Sequence, residues 1–278
     1  MDECGYFDSH AHFEGSDTAR LLVRARAAGV THVMAVGGNP VLNAGVRRAV
    51  GLAADRSSES SQMPSLGAAL GLDRSCAGMP GDEMARFEAE VADTVRDDAF
   101  PLRAVGEIGL DYYHDGAGRA EQRRLFARML ALAAEHALPA IVHTREAEED
   151  TLSLLREHIM GGAGGLAAEG RPGVIHCFTG TAAMAEACVE LGFFVSFSGI
   201  VTFRNADALR DVARRVPDDR LLIETDSPYL APVPLRGRPN EPAFVVHTAA
   251  CLARERRTDP SGIAAITRRN AQRLFGMA

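Results

Sequence analysis

The sequence predicts an α/β fold, a TIM (β/α)8 barrel, on three observations. Short apolar runs recur along the whole chain, helical patterns separate them, and polar residues with metal-binding chemistry follow the runs at equivalent places. The runs are Tyr6-Phe7-Asp8, Thr31–Gly37, Leu66–Leu72, Leu102–Ile108, Pro139–His143, Gly173–Phe178, Phe193–Ser198 and Leu221–Thr225. They are continuously apolar rather than alternating, as strands of a parallel sheet covered on both faces are.

The clearest helix between them is Arg119–His136. Leu125, Met129 and Leu132 repeat there at i, i+4 and i+7, while Arg123, Arg124, Arg128 and Glu135 cover the other side. Further helices are expected at Asp17–Ala28, Pro40–Asp55, Asp82–Asp97, Glu146–Met160, Ala182–Leu191, Asn205–Arg215 and Glu241–Arg256. A last helix, Pro260–Phe275, closes the chain. Eight strands alternating with eight helices is the count for the barrel. A doubly wound sheet would place a Gly-rich phosphate loop after its first strand, whereas this strand ends in His10-Ala11-His12. Ser57–Ser61 and Gly161–Gly173 look like loop insertions, and residues 1–278 read as a single domain with a C-terminal helix.

Of the 278 residues, 46% are hydrophobic and 24% charged, an ordinary globular balance with enough chain for a sizeable core. That excludes a disordered chain, a collagen-like fibre and a disulfide miniprotein. The net charge is −7, which argues against a nucleic-acid coating protein built on many phosphate contacts. All 30 basic residues are arginine. Schiff-base lysine chemistry, a Walker lysine and a carbamylated-lysine metal bridge are thereby excluded. Cysteines stand at 4, 76, 177, 188 and 251 without a C-x-x-C, so a reducing compartment is expected rather than a disulfide framework. Met1-Asp2-Glu3-Cys4-Gly5 lacks the features of a signal peptide, and Leu191–Phe203 is too short to cross a bilayer. A cytoplasmic location, no membrane association and no obligate protein partner are the expectations.

His10 and His12 share strand parity, so their imidazoles converge as half of a metal site. Glu107, His143, His176 and Asp226 end or follow other apolar runs. In an α/β barrel such strand ends meet at one mouth, where active sites lie. Four imidazoles and two carboxylates exceed one tetrahedral zinc and suit two divalent ions sharing a bridging carboxylate. His32, His136, His158 and His247 read as structural or solvated, and His114 is left open. No G-x-S-x-G elbow supports a hydrolase serine. Gly161–Gly165 lacks the strand-before, helix-after context of a nucleotide loop. Cys177, beside His176 on a strand, faces the other way and reads as a packed thiol.

These motifs resemble the TatD family of metal-dependent deoxyribonucleases, within the metal-dependent hydrolase superfamily. The resembling segments are Phe7–His12, Gly106–Tyr113, Leu138–Ala147, His176–Gly180, Ser198–Phe203, Leu221–Pro232, Arg236–Pro242 and Asn270–Gly276. The likeness runs from about residue 6 to 276 and is weakest over Asn39–Phe100. It implies a two-metal site in which His10 and His12 hold one ion with Asp226 nearby, His143 and His176 hold the other, and Glu107 bridges. Two positions depart from the family pattern. Gly71-Leu72-Asp73-Arg74 stands where Gly-x-His-Pro is common, so Asp73 replaces a phosphate-contacting histidine and Arg74 offsets its charge. Arg238 and Pro239 alter the Arg-Gly-Lys-Arg-Asn-Glu-Pro stretch and remove one cation.

The leading expectation is hydrolysis of DNA or a nucleotide-like phosphodiester, exonuclease-type, with two divalent ions (Zn, Mn or Mg). Glu107 and Asp226 are the catalytic candidates, with Asp226 accepting or orienting the proton of the attacking water. Arg145, Asp73 and Arg74 are the substrate-binding candidates, Arg145 through a bidentate phosphate contact. Glu224, sharing parity with Asp226, supports the site. Tyr112, Tyr113 and Phe178 read as packing residues rather than base-stacking ones. The alternatives are an amidohydrolase or deacylase using the same centre on a small acyl substrate, and an inactive metal-binding barrel.

Overall fold

The computed structural model describes residues 5–15, 17–55, 62–114, 118–160, 167 and 169–278. Its elements are β1 (Tyr6–Ala11), α1 (Thr18–Ala27), β2 (Val30–Gly38), α2 (Pro40–Ala54), β3 (Ser65–Leu72), α3 (Gly81–Val95), β4 (Leu102–Asp111), α4 (Arg119–Glu135) and β5 (Ala140–Arg145). There follow α5 (Glu148–Met160), β6 (Gly173–Ile175), α6 (Ala182–Glu190), β7 (Phe194–Phe197), α7 (Asp207–Arg215), β8 (Leu221–Ile223), α8 (Val245–Glu255) and α9 (Pro260–Phe275). The strands form one parallel sheet in chain order. The ends of that sheet meet through an Ala11–Ser227 bridge, with Asp226 N–H donating to the His10 carbonyl at 3.0 Å and His12 N–H to the Ser227 carbonyl at 2.8 Å. This is the expected TIM barrel with a C-terminal helix.

Local chemistry starts and stops several helices where expected. Asn39 caps α2 through the Val41 and Leu42 N–H groups, with Pro40 pre-set for the first turn. Thr181 caps α6 and Asp259 caps α9 in the same way. Gly276 ends α9 with φ +61°, a conformation glycine adopts at no steric cost.

The core has two layers. Between sheet and helices lies a large cluster that includes Val33, Leu70, Phe126, Leu155, Val195 and Leu252. Inside the barrel each strand contributes to a second cluster: Phe7, Met34 and Val36, Ala69, Ala104, Ile141, Val174, Phe194 and Leu222. The end of α9 (Ala271, Leu274 and Phe275), with Met277, packs into that inner cluster. Phe7 stacks between His32 (5.2 Å between centroids) and Phe275 (6.1 Å). The bottom of the barrel is therefore packed solid, and polar side chains can collect only at the other end. Near that end Asn43 joins β2 to β3, its amide donating to the Gly71 carbonyl at 3.0 Å and accepting from Gly38 and Gly71.

Several boundaries differ from the sequence expectation. β1 runs through His10 to Ala11 as expected, whereas β4 continues past Ile108 to Asp111. β6 stops at Ile175, so His176 and Cys177 follow the strand rather than end it. Glu146 lies outside α5 at φ +53°, a value a right-handed helix cannot hold. The segment expected as one helix from Glu241 splits into a 3-10 turn at Pro242–Phe244 and α8. Met1–Cys4, the run at Ser57–Ser61 and Gly161–Leu166 lie outside the described residues. Among the described residues no helix is long and apolar enough to cross a membrane.

Candidate metal centre

The six residues singled out from the sequence converge at the C-terminal ends of the strands. Three overlapping groups form: His10, His12 and Glu107; Glu107, His143 and His176; and His10, His176 and Asp226, with donor atoms in each group within 4.8 Å of one another. Backbone parity explains His143, which stands on β5 two residues beyond the inward-facing Ile141, while His176 and the neighbouring Glu224 lie just past the ends of β6 and β8, two residues beyond the inward-facing Val174 and Leu222. His10 and Glu107 stand three residues beyond Phe7 and Ala104, which parity alone would send outward. Register shifts between Asp8 and Ala11 in β1, and between Val105 and Ile108 in β4, coincide with their turning inward.

Glu107 is the hub. Its Oε2 lies 3.5 Å from His10 Nε2 and 3.4 Å from His12 Nε2. Its Oε1 lies 3.3 Å from both His143 Nδ1 and His176 Nε2. One carboxylate thus presents one oxygen to each histidine pair. Burial alone would raise its pKa, but the charge of His176 and hydrogen bonds from the histidines outweigh burial and hold it well below the usual carboxylate range.

The histidines are oriented from behind. His12 Nδ1–H donates to the Val36 carbonyl at 2.9 Å, an oxygen that can only accept, so Nε2 keeps its lone pair for the centre. His176 Nδ1–H donates to Glu224 Oε1 at 3.2 Å, and the same oxygen accepts the Cys177 N–H at 2.7 Å. Burial would lower His176, but Glu107 and Glu224 raise it well above the ordinary histidine value, so the centre draws positive charge inward. His10, fully buried and stacked on His176 at 3.9 Å, is driven the other way, to about 3, by burial and by that neighbour. Asp226, at φ +57° just past β8, turns its Oδ1 to 3.9 Å from His10 Nε2 and 3.7 Å from His12 Nε2. Burial pushes its carboxyl up to about 6 against the pull of His176 and His12.

The donor set fits divalent cations. Ligands 2.0–2.1 Å from a tetrahedral ion lie about 3.4 Å apart. The spacings here include 3.1 Å between His10 and His12 Nε2 and 3.3 Å between His143 Nδ1 and His176 Nε2. Ring nitrogens at such distances around a shared carboxylate have the spacing of neighbouring ligands on one cation.

Other candidates fall around this centre with different partners. Arg74 directs Nε to Asp111 Oδ2 at 3.1 Å. Asp73 turns Oδ1 to the N–H and hydroxyl of Ser75, and burial together with the charge of Glu107 raises its carboxyl. Arg145 lies over the Tyr113 ring, its Cζ 3.6 Å from the centroid. Arg238 and Pro239 line a groove of about 390 Å³ that opens beside His12, Phe13 and Arg24. Phe178 is buried and Tyr112 donates its hydroxyl to Asp150 at 2.5 Å, so both pack as expected. Tyr113 does not: its side chain is 55% exposed. Cys177 also departs from expectation. With β6 ended and φ at +43°, strand parity no longer applies, and its thiol meets Ser198 Oγ at 3.1 Å with Asp226 close by.

Two acidic residues escaped the sequence reading. Asp8 closes the seam between β1 and β8, accepting from Thr225 N–H at 2.8 Å, Thr225 hydroxyl at 2.6 Å and His10 N–H at 3.3 Å. Burial pushes its carboxyl up to about 8 against those donors. Asp111, on the same strand as Glu107 and four residues on, sits 3.4 Å from His143 Nε2 and 2.7 Å from His114 Nδ1, which places His114 at the mouth. Ending the fourth apolar run at Ile108 hid Asp111. Its parity with Glu107 was the available signal.

Comparison with known proteins agrees with this geometry. The family model described as TatD related DNase matches residues 7–276. The chain is 44% identical over 172 residues to the uncharacterized metal-dependent hydrolase YabD of Bacillus subtilis, a match spanning 62% of this chain and 64% of that protein. It is 34% identical over 275 residues, 94% of each chain, to a protein of Erwinia tasmaniensis named 3'-5' ssDNA/RNA exonuclease TatD. The crystal structure of YJJV, a TatD homologue from Escherichia coli, superposes with a TM-score of 0.83 at 29% identity over 99% of both chains. The chain belongs to the TatD family of metal-dependent hydrolases.

Proposed function

We propose that this chain is a phosphodiesterase that removes nucleotides from DNA, using two divalent ions held on either side of Glu107. The observation that carries this is the split of the Glu107 carboxylate, with Oε2 toward His10 and His12 and Oε1 toward His143 and His176. The name of the Erwinia tasmaniensis relative supports a nucleic-acid substrate. Zn, Mn and Mg all suit such imidazole and carboxylate donors to differing degrees. Divalent ions held there supply Lewis acidity toward a phosphate oxygen and a nucleophilic water at neutral pH. The chain's own residues do the rest. Asp226, its Oδ1 3.7 Å from His12 Nε2 and 3.9 Å from His10 Nε2, would accept or orient the proton of an attacking water. Val36 and Glu224 fix the His12 and His176 rings, and the packed barrel bottom confines the reaction to the open end.

A second reading, a deacylase acting on a small acyl substrate, is favoured by the cation inventory. Arg74 is directed at Asp111, and Asp73 adds a carboxylate near Glu107 where a phosphate would prefer a cation. End-labelled single-stranded DNA incubated with Mg²⁺, Mn²⁺ or Zn²⁺ separates the two. Stepwise shortening that both EDTA and Glu107→Ala abolish is the expected result. No cleavage above the variant's background, with metal binding verified, would overturn it and leave acyl substrates to be tried.

A further inference from the structure

Tyr113 is one of the few large aromatic side chains left open to solvent, at 55% exposure. It lies two residues past the end of β4 and is braced rather than loose. Its N–H donates to Asp111 Oδ1 at 3.0 Å. The His114 ring meets it edge-on, centroids 5.1 Å apart at 87°, and is itself anchored through Nδ1 to Asp111 Oδ2. Arg145, the last residue of β5, lays its guanidinium over the ring at 3.6 Å. Strand register pairs Asp111 with Arg145 and Gly109 with His143. Arg145 therefore stands one two-residue rise, about 7 Å, above the ligand layer at His143. The Asp111 carboxylate beneath is paired with the Arg74 guanidinium, which offsets its charge toward a passing phosphate.

We propose that Tyr113 and Arg145 form a stacking platform for one unpaired nucleobase of a single-stranded nucleic acid whose scissile phosphate lies at Glu107. The proposal rests on the phosphodiesterase reading for its choice of ligand. The physics is that of sequence-tolerant single-strand binding: every base has a π-face, and aromatic rings and guanidinium planes both stack on it. A guanidinium over the tyrosine ring brings a second π-face to a base and N–H donors to the adjoining phosphate. Bases inside a duplex hide their faces in the stack, so the platform selects unpaired strands.

The test measures binding of a fluorescent single-stranded decamer to the metal-loaded full chain by anisotropy. Phosphorothioate linkages at both ends resist cleavage, and one abasic nucleotide is moved along the strand. In the wild type one abasic position weakens binding about tenfold. Tyr113→Ala weakens the intact strand by about the same factor and erases that position dependence, Tyr113→Phe keeps both, and annealing a complement removes the effect. Binding by Tyr113→Ala equal to wild type, an unchanged abasic profile in that variant, a Phe variant behaving like Ala, or no binding of any decamer would each overturn the proposal. Cleavage of the unmodified strand is followed in parallel. A Tyr113-dependent position effect without cleavage retires the phosphodiesterase reading and keeps the base site. Cleavage without the position effect does the reverse.

Discussion

Glu224 makes no contact with the shared carboxylate, yet its replacement should weaken metal binding. It is fully buried and accepts two hydrogen bonds, from His176 Nδ1 at 3.2 Å and from the Cys177 N–H at 2.7 Å. Glu224→Gln keeps an oxygen acceptor of the same reach and removes the charge. Loss of such a supporting carboxylate costs about 10–100-fold in metal affinity, about 1.4–2.7 kcal/mol. Glu224→Ala goes further and orphans two buried donors. At about 1–3 kcal/mol for each unsatisfied group this removes about 2–6 kcal/mol of stability, against about 5–15 kcal/mol for a whole domain. Calorimetric titration of EDTA-stripped protein with Zn²⁺ or Mn²⁺ reads the first quantity, and urea unfolding of the stripped protein reads the second. The glutamine variant should lose affinity with a smaller loss of stability than the alanine variant, which loses both. A glutamine variant that binds metal as tightly as the wild type would refute the idea that the Glu224 charge tunes His176.

Two further expectations test the surroundings of the centre. Burial would raise Asp111, but hydrogen bonds from His143 and His114 outweigh it and hold the carboxyl well below the usual range. A depressed carboxylate contributes stability that is full above its unfolded value near 3.9 and is lost as pH falls through the folded one. Asp111→Asn should therefore cost stability at pH 7 and flatten the fall in urea midpoint below about pH 4; parallel curves for variant and wild type would count against this pairing. Phe7→Ala opens the inner cluster between His32 and Phe275 and should cost about 3–5 kcal/mol in urea unfolding. A loss below about 1 kcal/mol would show that Phe7 and α9 are not packed as a seal.

Much of the centre was legible before folding because a parallel barrel turns sequence position into spatial position. Strands that are continuously apolar have no polar place to end except the mouth, so a polar residue just after an apolar run is a site residue by construction. His143, His176 and Asp226 were readable on that ground, whereas the parity expected between Glu224 and Asp226 is not carried by β8, which ends at Ile223. Motif likeness supplied the sharing of Glu107 between two histidine pairs, which spacing alone does not yield.

Other residues depended on contacts between distant parts of the chain. Asp111 was hidden because an apolar run gives no warning that the strand continues beyond it. Cys177 defeated a parity argument because β6 ends at Ile175, where only pairing with its neighbours decides how far a strand extends. Arg145 was assigned by its charge alone, and its seat on Tyr113 follows from the register of β4 against β5.

By itself, then, the sequence determined the alternation of elements, the packed interior and the identity of six polar side chains that meet at the mouth. Those follow from hydrophobic periodicity and side-chain chemistry, both local properties. Only the tertiary structure decided that His10 and Glu107 face inward, through register shifts in β1 and β4, and that Asp8 clasps Thr225 across the closing seam. It alone also set which ring nitrogen of His12 and His176 is left for the centre. A register shift, a seam and a tautomer are each fixed by hydrogen bonds to strands far away in sequence, and no local pattern carries that information.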